Sequence, residues 1–208
     1  MKYKPQVYAF CVGILLLTAA SFAPAQEKLR TVEHGKYRKY DIKTEPIAIV
    51  GRQLGNKPFI NDNEVMGRPD WLRDLTLDVR NISNKTIKDF EINVVIEKQD
   101  NMPFAAGMSL RFPTQEPILS LNGKPAGEYN APKLLKPGEI VKVKVSDNML
   151  RILDDLKKDG VVDILRVYLA FTRVRFDDGT GWFQGMEMRE DPKYPGSMIQ
   201  FALDYRSC

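Results

Sequence analysis

Reactive side chains are scarce in this chain: 208 residues hold two cysteines, Cys11 and Cys208, and one histidine, His34. A single histidine leaves little room for a nucleophile and base pair. No Gly-x-Ser-x-Gly elbow, Walker loop or Gly-x-Gly-x-x-Gly cradle occurs either. The sequence therefore points away from a histidine-dependent hydrolase and, more broadly, toward a protein that is not an enzyme. Long apolar runs are equally scarce. The one present, over 7–20, follows Lys2 and Lys4 and precedes Ala23-Pro24-Ala25, the pattern of a secretory signal peptide over 1–25. No later segment reaches the roughly 18 apolar residues of a membrane-spanning helix. The mature chain is expected to be exported, to the periplasm or the outside, with no transmembrane segment.

Cleavage after Ala25 removes Cys11 and with it any internal disulfide. Cys11 does not read as a lipidation site, because Phe10 precedes it and the apolar run follows it. Cys208 is expected to be an inert tail thiol. Charge of one sign is also lacking: 31 basic residues less Lys2 and Lys4 leave 29 against 27 acidic ones. That balance gives no reason to expect a nucleic-acid partner. The basic cluster Lys36, Arg38 and Lys39 falls in 26–45, which has little apolar periodicity and reads as a mobile basic leader.

What is present is alternation. Leu75, Leu77 and Val79 alternate with Thr76, Asp78 and Arg80; a polar turn follows; then Phe90, Ile92, Val94 and Ile96 alternate again. A period of two marks half-buried strands, here read as one wall of a sandwich core. Ile47 and Ile49 with Arg52 to Leu54 predict an earlier strand. Phe104 to Phe112 predicts another, weakened by Gly107 and ended by Pro113. Val141, Val143 and Val145 alternate with Lys142 and Lys144 in a fifth. The period then changes: Met149, Ile152, Leu153 and Leu156 predict a short helix, started by Ser146 or Asp147 and stopped by Gly160.

Leu165, Val167, Leu169 and Phe171 resume the alternation, but Val174 and Phe176 continue it out of phase. An extra residue near Thr172 and Arg173, a β-bulge, absorbs the shift. Asp177-Asp178-Gly179-Thr180 predicts a hairpin, with Trp182, Met186 and Met188 on one side beyond it. Ile199, Phe201, Leu203 and Tyr205 form a possible last strand. The fold class is mainly β: an immunoglobulin-like β-sandwich of about seven strands, with one short helix between the fifth and sixth. The sandwich domain is placed at 46–192, and 193–208 is a C-terminal extension.

Val79-Arg80-Asn81-Ile82-Ser83-Asn84-Lys85, Leu135-Lys136-Pro137-Gly138-Glu139 and Phe176-Asp177-Asp178-Gly179-Thr180-Gly181-Trp182 resemble segments of exported bacterial immunoglobulin-like or fibronectin-like modules. In particular they resemble an uncharacterised family of secreted bacterial proteins, over about 46–192. These are turn signatures; the resemblance implies a sandwich fold and brings no catalytic residues with it.

Four clusters carry candidate chemistry. Asp177, Asp178 and Glu187 could serve a glycan-active enzyme that works with carboxylates, although Asp and Gly suit the turn there for backbone reasons. Asn61, Asp62, Glu64, Asp70 and Asp74 offer oxygens to Ca²⁺, and Met186 with Met188 offers thioethers to Cu(I); a solvated loop and core packing are the plainer readings of the two sets. Asn81-Ile82-Ser83 and Asn84-Lys85-Thr86 fit the N-glycosylation pattern but more simply serve a turn. Outward positions on the sixth and seventh strands suggest a binding patch of Tyr168, Phe183 and Val95 with Arg166 at its edge. The sequence reading is thus an exported non-catalytic module with no cofactor or resident metal. Its partner is expected to be an envelope protein or polysaccharide.

Overall fold

The computed structural model describes residues 26–35, 41–97, 107–113, 133–145, 147–160 and 163–200. Twelve strands lie among them: β1 (Lys28–His34), β2 (Ile47–Leu54), β3 (Lys57–Pro58), β4 (Glu64–Gly67), β5 (Leu75–Asn81), β6 (Ile87–Ile96), β7 (Gly107–Phe112), β8 (Ile140–Lys144), β9 (Arg166–Phe176), β10 (Thr180–Phe183), β11 (Met186–Glu190) and β12 (Met198–Gln200). The helix α1 (Asp147–Lys158) joins β8 to β9. The fold is mainly β, in two sheets. One has the order β3-β2-β5-β8. The other is built around β9, whose one long edge pairs with β6 and, through it, with β7. The opposite edge of β9 is shared: β1 pairs parallel to its first half and β10 antiparallel to its second, extending to β4 and to β11 and β12.

The apolar positions of β5 and β6 are buried as the alternation requires, but the two strands belong to different sheets. The turn between them therefore crosses the sandwich, and its strands form opposite walls rather than one. Alternation fixes which side of a strand is apolar and leaves open which sheet the strand joins. Leu75, Leu77 and Val79 face Phe90, Ile92 and Val94 in a single core, to which Val167, Leu169, Phe171, Val174 and Val143 also belong.

Asn81 holds that crossing. Its side chain is 0 % exposed. Nδ2 donates to Lys85 O (2.8 Å) and Leu135 O (3.0 Å), and Oδ1 accepts from Ser83 N (3.0 Å) and Ser83 Oγ (2.7 Å). The first glycosylation-type triplet thus serves its turn, as the side-chain chemistry of Asn leads one to expect.

The segment read as a mobile leader instead contains β1. Arg30 and Val32 are fully buried, and a buried arginine at an inward position hides the strand from an apolar-alternation test. Arg30 Nε donates to Gly67 O (3.0 Å), and Nη1 reaches Ile164 O (3.0 Å) and the Asp163 carboxylate, which Lys28 also meets at 2.8 Å. Lys36, Arg38 and Lys39 lie outside the described residues, as do 1–25, most of the 114–137 loop, and 201–208 with Cys208.

In α1, Leu153 is buried and Leu150 and Leu156 pack against the core, whereas Ile152 is exposed. The buried stripe is thus rotated from the expected one; the side chain of Met149 lies outside the described set. Leu165 is exposed too, its inward place being taken by Ile164, whose carbonyl also accepts from Trp71 Nε1 at 2.7 Å. Among the described residues no helix is long and apolar enough to cross a membrane.

Candidate functional site

Glu91 pairs with Arg173 and Ile92 with Phe171, so Thr172 is the extra residue that the phase change demands. The bulge sets the site. It keeps Val174 and Phe176 in the core and brings Arg173 and Arg175 onto the outer face of the large sheet, beside Asp89 and Glu91 of β6. Arg175 Nε donates to both Asp89 oxygens (2.9 and 2.7 Å). Arg173 Nη2 lies 3.8 Å from Asp89 Oδ1 and 3.6 Å from Glu91 Oε2, and Arg111 Nε of β7 lies 3.4 Å from Glu91 Oε2. Three guanidinium groups and two carboxylates thus form a ladder across three strands. Arg173 Nε is shielded from water and has no hydrogen-bond partner among the described residues.

The outer face continues onto β10, where Phe183 is paired with Arg173 and Gly181 with Arg175. A hollow of about 30 Å³ lies nearby, lined by Arg173, Arg175, Phe183, Met188 and Met198 together with the core residues Val174 and Trp182, while the space over Gly181 itself is filled by the Met198 methyl group. A Cβ on Gly181 would lie 2.7 Å from Met198 Cε and 2.9 Å from Val174 O, so glycine is required. The wall of the hollow is almost wholly apolar, so the group on this face that can meet an anion is the Arg173 guanidinium, partly exposed beside Phe183, and not the hollow itself.

Of the predicted patch, Val95 and Tyr168 are directly paired across β6 and β9. Arg166 lies beyond them, 3.3 Å from Glu33 and 3.5 Å from Glu97. Tyr168 is not exposed: it is 1 % accessible and its hydroxyl donates to Glu97 Oε1 at 2.6 Å. On a central strand its ring is flanked by Val95 on one side and Glu33 on the other. Phe183 does not join this group. Its partner on β9 is Arg173, five residues along from Tyr168, so it belongs to the arginine end of the face.

Met186 and Met188 pair with Phe183 and Gly181, so they share the face of Phe183, not that of Trp182, whose partner is Glu187. The two-residue turn Gln184-Gly185 resets the phase that counting straight along the chain would keep. Among the carboxylates, burial pushes the Asp178 carboxyl up. The Lys85 ammonium at 2.8 Å and the Thr180 hydroxyl and amide outweigh that and hold it down at about 2. A glycosidic general acid needs the opposite shift. Among the described residues, no three or more His, Cys, Asp or Glu are grouped so as to hold a metal ion, and Glu64 of the acidic loop is bonded to Asn61 (3.4 Å).

His34, assigned to the leader by sequence, lies on β1 with its ring edge-on to Phe171 (4.6 Å between centroids) and Nε2 3.7 Å from Glu45 Oε1. Sequence reading missed the arginine ladder, although its signal was present: a bulge at Thr172 implies that Arg173 and Arg175 share a face. Comparison with protein family models, curated proteins and solved structures finds no match for this chain.

Proposed function

We propose that this chain is an exported, non-catalytic immunoglobulin-like module of the secreted bacterial family its turns resemble. It binds a carboxylate-bearing protein or polysaccharide of the cell envelope. The order β2-β5-β8 facing β7-β6-β9-β10, with the helix between β8 and β9, supports the immunoglobulin-like identity. The partly exposed Arg173 guanidinium at the edge of the ladder, beside Phe183, carries the binding assignment. Arg173 stands on β9, a central strand paired on both sides, and such a rigid base lowers the ordering cost of binding.

Affinity capture from envelope extracts tests this, with wild type and Arg173→Ala/Phe183→Asp as baits and immobilised polygalacturonate and polyglutamate as defined probes. Arg175 keeps both of its bonds to Asp89 when the longer Arg173 contacts are lost, so both baits are expected to melt at similar temperatures. The wild type should retain a partner and one of the two probes, and the variant should lose both. Equal retention by the two baits refutes the site.

A further inference from the structure

The second sheet has an outer face of quite different character. Ala48, Arg80 and Ile140 form one row across β2, β5 and β8; Gly51, Asp78 and Lys142 form the next; Gln53, Thr76 and Lys144 form the third. Val50 is the extra residue of a bulge on β2 between the first two rows. Ile82 extends the phase of Arg80 beyond β5, and its amide is bonded to Pro46 O (3.0 Å), which sets it beside the first row. Three branched aliphatic side chains therefore surround Arg80 while remaining open to solvent: Ile82 is 55 % exposed, Ile140 49 % and Val50 45 %. Lone exposed aliphatics are ordinary; three around one end of one sheet face are a patch.

The charges on this face are unequal. Lys142 is satisfied by Asp78 (2.8 Å), while Arg80 and Lys144 make no ion pair among the described residues. Its occupant must accept two cations and hydrocarbon at once. A second copy docked face to face would set Arg80 and Lys144 against their own equivalents, which is repulsive. A soluble polyanion would neutralise the cations and leave the aliphatics in water. An anionic bilayer surface satisfies both, drawing Arg80, Lys142 and Lys144 to its headgroups and taking Val50, Ile82 and Ile140 into the acyl boundary.

We infer that the outer face of the β3-β2-β5-β8 sheet docks on anionic phospholipid. This leaves the arginine ladder, on the other side of the sandwich, facing away from the membrane. The docking is independent of the proposed binding function, and either can fail alone.

Co-sedimentation of the chain, purified from an exporting host, with phosphatidylcholine vesicles with and without phosphatidylglycerol tests the inference. All variants carry the same N-terminus, so differences between them read the face. The wild type should sediment with the anionic vesicles and be released by salt. Arg80→Glu with Lys144→Glu should weaken this by at least about 30-fold, from about 1 kcal/mol per cation near such a surface. Ile82→Ser with Ile140→Ser should weaken it by roughly tenfold. These side chains are exposed, so melting temperatures should hold; if the charge reversal unfolds the chain, Arg80→Gln with Lys144→Gln makes the same comparison. Equal binding to neutral vesicles, or undiminished binding by either charge variant, overturns the inference. So does tight binding of dextran sulfate together with indifference to the serine pair, since the face would then read charge alone.

Discussion

Replacing Asn81 with alanine removes four side-chain hydrogen bonds from a fully buried site: two to the carbonyls of Lys85 and Leu135 and two from Ser83. Each group it serves keeps a second partner. Ser83 Oγ still reaches Lys85 O (3.1 Å), Ile87 N still donates to Leu135 O (2.9 Å), and Pro46 O still accepts from Ser83 N (3.1 Å). The loss is therefore that of net bonds, about 1 kcal/mol each, and not of orphaned groups, giving about 2–4 kcal/mol in total. In a chain of this length that lowers the melting temperature by roughly 4–16 °C, at about 2–4 °C per kcal/mol. Urea unfolding reads it directly, as a lower midpoint at unchanged slope. Asn81→Asp separates hydrogen bonding from volume. It keeps the Ser83 bonds but sets a carboxylate oxygen against two carbonyl oxygens, so at neutral pH it should be less stable than the alanine variant and recover on acidification. An alanine variant within about 1 kcal/mol of wild type refutes the keystone role, as does an aspartate variant more stable than alanine at neutral pH.

Asp163→Ala leaves Arg30 buried with only carbonyl partners and should cost about 3–5 kcal/mol. Adding Arg30→Met should restore much of it, because an apolar side chain needs no counter-charge; chemical denaturation of the double-mutant cycle measures both. Gly181→Ala should destabilise by about 1–3 kcal/mol, and Met198→Ala should rescue it only in part, because the contact with Val174 O cannot move aside. Carboxylate NMR should place the Asp178 midpoint at about 2 in the folded chain, and Lys85→Met should raise it. Since folding depresses this carboxyl, its contribution to stability is present above about pH 4, the unfolded value, and is lost as pH falls toward 2. The side chain is partly exposed, so that contribution is small.

Local signals in the sequence were reliable where local physics decides. Gly179 and Gly138 adopt positive φ at the turns read from their neighbours, and the bulge falls on Thr172. Pairing was legible only in part. β1 escaped because Arg30 occupies an inward position and because its partner, β9, is remote in sequence. The β5–β6 connection was read as joining strands of one wall, since alternation is the same for a hairpin and for a crossing. Tyr168 was correctly assigned to the outer face, yet facing outward on a central strand does not mean reaching solvent when Val95 and Glu33 stand on either side. Of the residues assigned to the binding patch, Phe183 lies on the outer face, but strand register places it with Arg173 and away from Tyr168.

The parallel pairing of β1 with β9 has a bearing on the order in which this protein can be completed. The first described strand finds its partner some 134 positions later, where Arg30 closes on Ile164. One edge of Lys28–His34 meets the nearby β4, but in a chain that emerges amino end first the edge that pairs with β9 stays open until nearly all the rest has followed, and contacts so distant form slowly. The last stage of assembly then seals the buried cation and the β9 edge of the first described strand in the same event.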